Sequence, residues 1–312
     1  MHLEWPKDAT QLPIKTATYI KSGLIDYSAQ ARTVKWAYEG RNGFENWPNI
    51  KAKGFQCGGR RQSPIDISRT NSKYRLLPKL RFCGFDVELE NITASIVHGS
   101  ASITDLQNSK RYISGGPLTG RYNVFGLHFH WGRRLSSGSE HTFDGRRYPI
   151  ELHIVHVKDD YATFEEARNH PDGICVLAVM FVIGKPFSST ERDLRAPTRL
   201  QNEAEKHIME YFTTVSGLQK LQIWKSGFRL SGLLPLYPQQ FYTYRGSLTT
   251  PPCSEAVIWI LFHHKIPISR QLLRRFHELE DSDGHHTFRN WRSTQPINQR
   301  TVYRTVRFWE AY

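Results

Sequence analysis

The chain has 312 residues, with 39% hydrophobic and 23% charged side chains, the balance of a globular chain with a sizeable core. Lys and Arg number 42 against 29 Asp and Glu, a formal excess of +13. The basic residues nevertheless come in ones and twos (Arg60-Arg61, Arg133-Arg134, Arg146-Arg147, Arg274-Arg275) with no basic helix or stripe of interleaved aromatics, so no nucleic-acid partner is expected.

No apolar run approaches the roughly 18 residues that a transmembrane helix needs. The start, Met1-His2-Leu3-Glu4-Trp5-Pro6-Lys7, has no apolar signal-peptide core, and Arg307 to Tyr312 form no hydrophobic anchor tail. Residues 1–33 show no periodicity and are expected to form a loosely attached arm. Residues 34–305 read as one domain, and 306–312 as a short tail.

Within the domain the periodicity is mostly that of strands. Val124 to Trp131 and Ile150 to Val157 each read as one strand, while Ile174 to Ile183 and Val257 to Phe262 are apolar, β-branched runs suited to strands covered on both faces. Gly115-Gly116-Pro117 and Thr250-Pro251-Pro252 punctuate them. Leu200 to Phe212 and Arg270 to Glu280 are the best helical segments. The fold class that follows is mixed α+β, β-dominated, a single domain with a large sheet. Of four cysteines, Cys57, Cys83, Cys175 and Cys253, none forms a C-x-x-C pair, so a thiolate zinc site is not expected. Cys175, inside an apolar run, reads as a buried free thiol, and spacing alone does not pair Cys57 with Cys253.

The chemistry-bearing residues are histidines. Side chains two apart on a strand share a face, so His128 and His130 can reach one metal ion. His153, on the next readable strand, can supply a third nitrogen, and three imidazoles with one open position is the pattern of catalytic zinc. Glu151 and Val155 share the face of His153; His156 points the other way and reads as a core histidine.

These residues lie within a longer series: Trp36-Ala37-Tyr38, Asn42-Gly43, Gln62-Ser63-Pro64-Ile65-Asp66-Ile67, Gly115-Gly116-Pro117-Leu118, His128-Phe129-His130-Trp131-Gly132, Gly138-Ser139-Glu140-His141-Thr142, Glu151 to His156, Gly246 to Pro252, and Asn290-Trp291-Arg292. In this order the series resembles the α-class carbonic anhydrases over most of the chain. The resemblance implies a central twisted, mostly antiparallel sheet with a zinc cleft, and reversible hydration of carbon dioxide to bicarbonate by zinc-bound hydroxide. It implies His128, His130 and His153 as the zinc ligands, Thr249 as the hydroxide's partner and Glu140 as the acceptor from that threonine. It places Thr250 on the polar wall of the cleft, and Val155, Val176, Leu248, Val257 and Trp259 on the apolar wall. Glu151, His141, Tyr244 and Asn290 would support the ligands.

Two positions depart from the pattern. Gly126 stands where the family usually has a glutamine that accepts from the first ligand, leaving His128 to water or a backbone carbonyl. The histidine that relays protons to solvent has three competing registers: His98 by ungapped count, Ala94 by strand matching, and Ser100 by alignment of the preceding glycine. Secreted and membrane-anchored members of the family often carry cysteines at the positions of Cys57 and Cys253. The resemblance therefore implies a Cys57–Cys253 disulfide and an extracellular or secretory-pathway location, with Asn91-Ile92-Thr93 as a compatible glycosylation sequon. A catalytically silent relative that binds partners and a zinc esterase are the competing functions.

Overall fold

The computed structural model describes residues 35–89, 92–97, 100–104, 110–134, 137–184, 206, 208, 222–224, 229–280 and 289–306. The expected arm at 1–33, the tail beyond 306, Asn91 of the sequon and His98 lie outside them. Of the helical segment at 200–212, only Lys206 and Ile208 are described, both helical.

A 13-stranded sheet dominates. Its centre consists of the strands expected from periodicity, Tyr122–Trp131, Ile150–Lys158, Ile174–Ile183 and Val257–Phe262. The first three are joined antiparallel in that order; the third and fourth run parallel, with Cys175 opposite Ile258 and Val176 opposite Trp259. Phe241–Gly246 and Val302–Arg304 continue the sheet antiparallel, and Ser72–Tyr74 closes that side in a parallel pairing. Most pairings are antiparallel, as implied.

Every residue of Val257–Phe262 is buried, because both faces of the sheet are covered. One face packs Leu127, Phe129, Ile154, Leu177 and Ile260; the other packs Val155, Val176, Trp259 and Leu261. Full burial of each such side chain contributes about 1.5–3 kcal/mol. The helix Arg270–His277 starts where Ser269 accepts from the Leu272 amide, and it presses Leu272, Leu273 and Phe276 onto the first face. Phe276 lies 5.3 Å from the rings of both Phe129 and Trp131, bracing the strand that carries the first two histidines. Cys57 and Cys253 form a disulfide across 196 residues, packed with Tyr38, Phe44 and Trp47; Cys83 is an exposed free thiol and Cys175 a buried one.

Candidate metal centre

His128 lies directly opposite His153, and His130 opposite Glu151, across the antiparallel pair. Period two then puts all four side chains on one face. His128 Nε2 lies 3.2 Å from His153 Nδ1, and His130 Nε2 lies 3.1 Å from the same atom. Three ring nitrogens therefore converge on one point.

The outer nitrogens explain this aim. His130 Nδ1 is 2.6 Å from the Asn290 carbonyl, and His153 Nε2 is 2.7 Å from Glu151 Oε1. Both partners only accept, so each outer nitrogen carries the proton and each inner nitrogen presents a lone pair. Burial, reinforced by the neighbouring histidines, holds His128 well below the usual imidazole range. Burial likewise lowers His153, against the opposing pull of Glu151. Neutral imidazoles with lone pairs facing each other at 3.1 Å repel unless a cation sits between them, so the donor set fits a metal ion.

Glu151 is the hub of the supporting network. Its Oε1 accepts from His153 and from His141 Nδ1, both at 2.7 Å, and its Oε2 accepts from the Glu140 and His141 amides at 2.7 and 2.8 Å. Burial alone would raise its pKa, but electrostatic attraction to the His141 and His153 rings and the hydrogen bonds from them hold it well below the usual carboxylate range. The Tyr244 hydroxyl lies 2.7 Å from His141 Nε2 and 2.8 Å from Ser63 Oγ, extending the network to a second strand. Asn290 does more than hold His130. Its Oδ1 accepts from the Trp131 amide at 2.7 Å, and its Nδ2 donates to the Phe129 carbonyl at 2.9 Å.

Thr249, Leu248, Val155, Val176 and Trp259 line a small pocket against His128 and His153, with about 20 Å³ of free space, room for roughly one water-sized molecule. Phe125 and Phe164 close it, their rings stacked 4.8 Å apart, and neither was expected from the sequence. Val257 and Thr250 are buried without lining this pocket.

Glu140 Oε1 accepts from the Arg292 amide at 2.8 Å. Its buried Oε2, 3.5 Å from His130 Nε2, has no hydrogen-bond partner, so the implied bond from Thr249 is not formed. His128 Nδ1 is also buried without a partner; no backbone carbonyl takes the place of the missing glutamine. The Ser100 hydroxyl donates to the Phe129 carbonyl at 2.7 Å, and Ala94 sits in a strand opposite Ile103.

A family model described as eukaryotic-type carbonic anhydrase matches residues 42–306. The chain belongs to that family. Membership makes it an enzyme of the carbonate dehydratase class. Among its relatives, carbonic anhydrase 7 of Mus musculus is 35% identical over 275 residues, covering 86% of this chain and 96% of that one. Carbonic anhydrase 7 of Homo sapiens is 34% identical over 280 residues, covering 87% and 97%. Carbonic anhydrase 3 of Sus scrofa is 32% identical over 286 residues, covering 86% and 97%.

Proposed function

We propose that this carbonic anhydrase reversibly hydrates carbon dioxide to bicarbonate and a proton, with one zinc ion held by His128 Nε2, His130 Nε2 and His153 Nδ1. The observation that carries the proposal is the pair of inward lone pairs at 3.1 Å, fixed by acceptors on the far side of each ring. Zinc bound there supplies Lewis acidity, lowering the pKa of a coordinated water to about 7, the figure established for carbonic anhydrase itself.

The residues around it position the reactants. Glu140 Oε2 is a buried acceptor without a donor, which is costly to leave unmade. A Thr249 hydroxyl that donated to it would be left to accept from the attacking oxygen, which would orient that oxygen for reaction. Val155, Val176, Leu248 and Trp259 form an apolar wall, suited to a nonpolar substrate. Of the three relay positions only His98 carries an imidazole, and it is proposed to carry the proton out; with Ala94 or Ser100 at that place, buffer would carry it instead. His98→Ala should then slow turnover in dilute buffer, with added imidazole restoring it.

The Cys57–Cys253 disulfide supports an extracellular or secretory-pathway location. Peptide mapping without reduction that recovers Cys57 as a free thiol overturns that assignment.

Zinc content and carbon dioxide hydration of the purified chain, measured beside ester hydrolysis before and after chelation, test the proposal. One zinc per chain and chelator-sensitive hydration are expected. A full equivalent of zinc retained by the His128→Ala, His130→Ala, His153→Ala variant would refute the ligand assignment. A zinc-loaded chain inactive toward carbon dioxide would refute the activity.

A further inference from the structure

On the strand Phe241–Gly246, Tyr242 and Tyr244 turn toward the face that carries the metal centre, where they pack with Val155 and Trp259. Thr243 and Arg245 therefore turn to the opposite face. There Thr243 is paired with Tyr303, and Arg245 with Ile258, which belongs to the other core. A cleft of about 680 Å³ is lined by Thr243, Arg245, Ile258 and Tyr303 on this far side, and it also reaches Tyr244. That volume lies within the range of about 300–1,000 Å³ typical of small-molecule sites.

Four guanidinium groups line it: Arg61, Arg75, Arg245 and Arg300. They come from four separate places in the chain, so the concentration of charge arises from the fold and not from a basic run. Only Arg61 is neutralised, by Glu255 at 3.2 Å. Among the described residues, no carboxylate lies within ion-pair distance of Arg75, Arg245 or Arg300.

Arg300 is fixed by three carbonyls and one ring: Nε donates to Ile297 at 2.9 Å, Nη2 to Pro296 at 2.8 Å and Nη1 to Arg245 at 3.4 Å, and the guanidinium lies 5.5 Å over Tyr244. Arg75 lies 4.8 Å over the Tyr303 ring, and Arg245 Nη1 donates to the Pro171 carbonyl at 3.2 Å. These contacts hold the forks in place while leaving further N–H donors on each. Beneath the charges the floor is apolar, built from Leu77, Leu118 and Ile258. Arg75, Arg245 and Arg300 stand around one apolar floor with no carboxylate at ion-pair distance, Glu255 and Asp172 attracting Arg300 and Arg245 only from farther away, so an anion is a fitting partner. Burial also lowers the Arg300 pKa, so its charge is held at a cost that an anion would offset.

We infer that this cleft, which none of the three converging histidines lines, is a second ligand site for an organic dianion: two phosphate, sulfonate or carboxylate groups on an apolar body. Arginine forks match such oxygens bidentately, and the floor takes the body. The two charges distinguish it from carbon dioxide, and the apolar body distinguishes it from bicarbonate.

The test is calorimetric titration of the holoprotein with 1,5-naphthalenedisulfonate, with naphthalene-1-sulfonate and inorganic sulfate as comparisons. The disulfonate should bind at least about tenfold more tightly than either, since each adequate charge-assisted contact is worth that much. Arg75→Gln with Arg245→Gln should weaken it by about tenfold or more on the same grounds, without altering carbon dioxide hydration. Both side chains are exposed, so the fold should survive, and a rise in salt should weaken the wild type as well. Protein stripped of zinc should bind the disulfonate as before. Equal affinity in the double variant, equal affinity for sulfate, loss of binding with the zinc, or insensitivity to salt would each overturn the inference.

Discussion

His153 Nε2 donates to Glu151 Oε1 across 2.7 Å, so the third inward imidazole is aimed by a carboxylate two residues earlier on its own strand. That carboxylate accepts four N–H groups, two from imidazoles on one oxygen and two from backbone amides on the other. No other side chain of this size offers two acceptor-only oxygens. In Glu151→Gln the amide nitrogen must face donors whichever way it turns. The expected outcome is a drop in zinc affinity of roughly ten- to a hundredfold, measured by chelator competition, together with a lower melting temperature. Unchanged zinc affinity would mean that Glu151 braces the fold without orienting the ligand.

Thr249 is the next test, because it lines the pocket and is not among the proposed zinc ligands. Thr249→Ala should retain one zinc and lose about a hundredfold in carbon dioxide hydration, the usual cost of removing one preorganised hydrogen-bonding group. Thr249→Ser, which keeps the hydroxyl, should recover most of the rate. If the alanine variant turns over like the parent, the orphaned Glu140 Oε2 has a different partner.

Strand alternation made much of this site legible in the sequence. His128, His130, Glu151, His153 and Val155 share one face through period two, and His156 falls on the other, stacked 6.0 Å from Phe85. Alternation fails at Phe125 for a definite reason. The register with the neighbouring strand shifts between Val124 and Gly126, leaving Phe125 as the extra residue of a β-bulge. Val124 packs in the far core while Phe125 lines the pocket, whereas plain alternation reverses both. Phe164 was equally hidden, since its four-residue helix Phe164–Ala167 is too short to leave a period. The disulfide lay beyond spacing altogether; only the resemblance paired two cysteines so far apart.

His156 carries a pH prediction. It is fully buried with neither ring nitrogen hydrogen-bonded, and burial pushes its pKa down to about 3. The unfolded chain binds this proton near pH 6.5 and the folded chain near 3, so within that window the unfolded state holds more protons. The contribution is therefore intact above about pH 6.5 and lost progressively as pH falls toward 3. The slope for one proton is at most about 1.4 kcal/mol per pH unit. Denaturant unfolding of the parent and of His156→Leu, from pH 8 to pH 4, should show curves that run parallel above pH 7. Below it the parent should lose stability faster. Parallel curves throughout would show that His156 titrates normally in the folded chain.

Gly126 offers the last prediction, because two effects of opposite sign act at one atom. His128 Nδ1 is buried without a partner, and alternation places position 126 on the same face as His128. A glutamine there could accept from Nδ1, fixing the tautomer that leaves Nε2 free for the metal, and so gain about tenfold in zinc affinity. Space opposes it. A Cβ at Gly126 would come within 2.9 Å of the Ile103 carbonyl, a backbone atom on the adjacent strand that can move only with the sheet. Crowding of this kind costs about 1–3 kcal/mol. Gly126→Gln is therefore expected to release zinc more slowly to a chelator while unfolding at a lower temperature once both proteins are metal-free. Gly126→Ala should show the loss of stability without the gain in affinity, which separates the two effects. If Gly126→Gln holds zinc no better than Gly126→Ala, the unpartnered Nδ1 does not limit the affinity of this site.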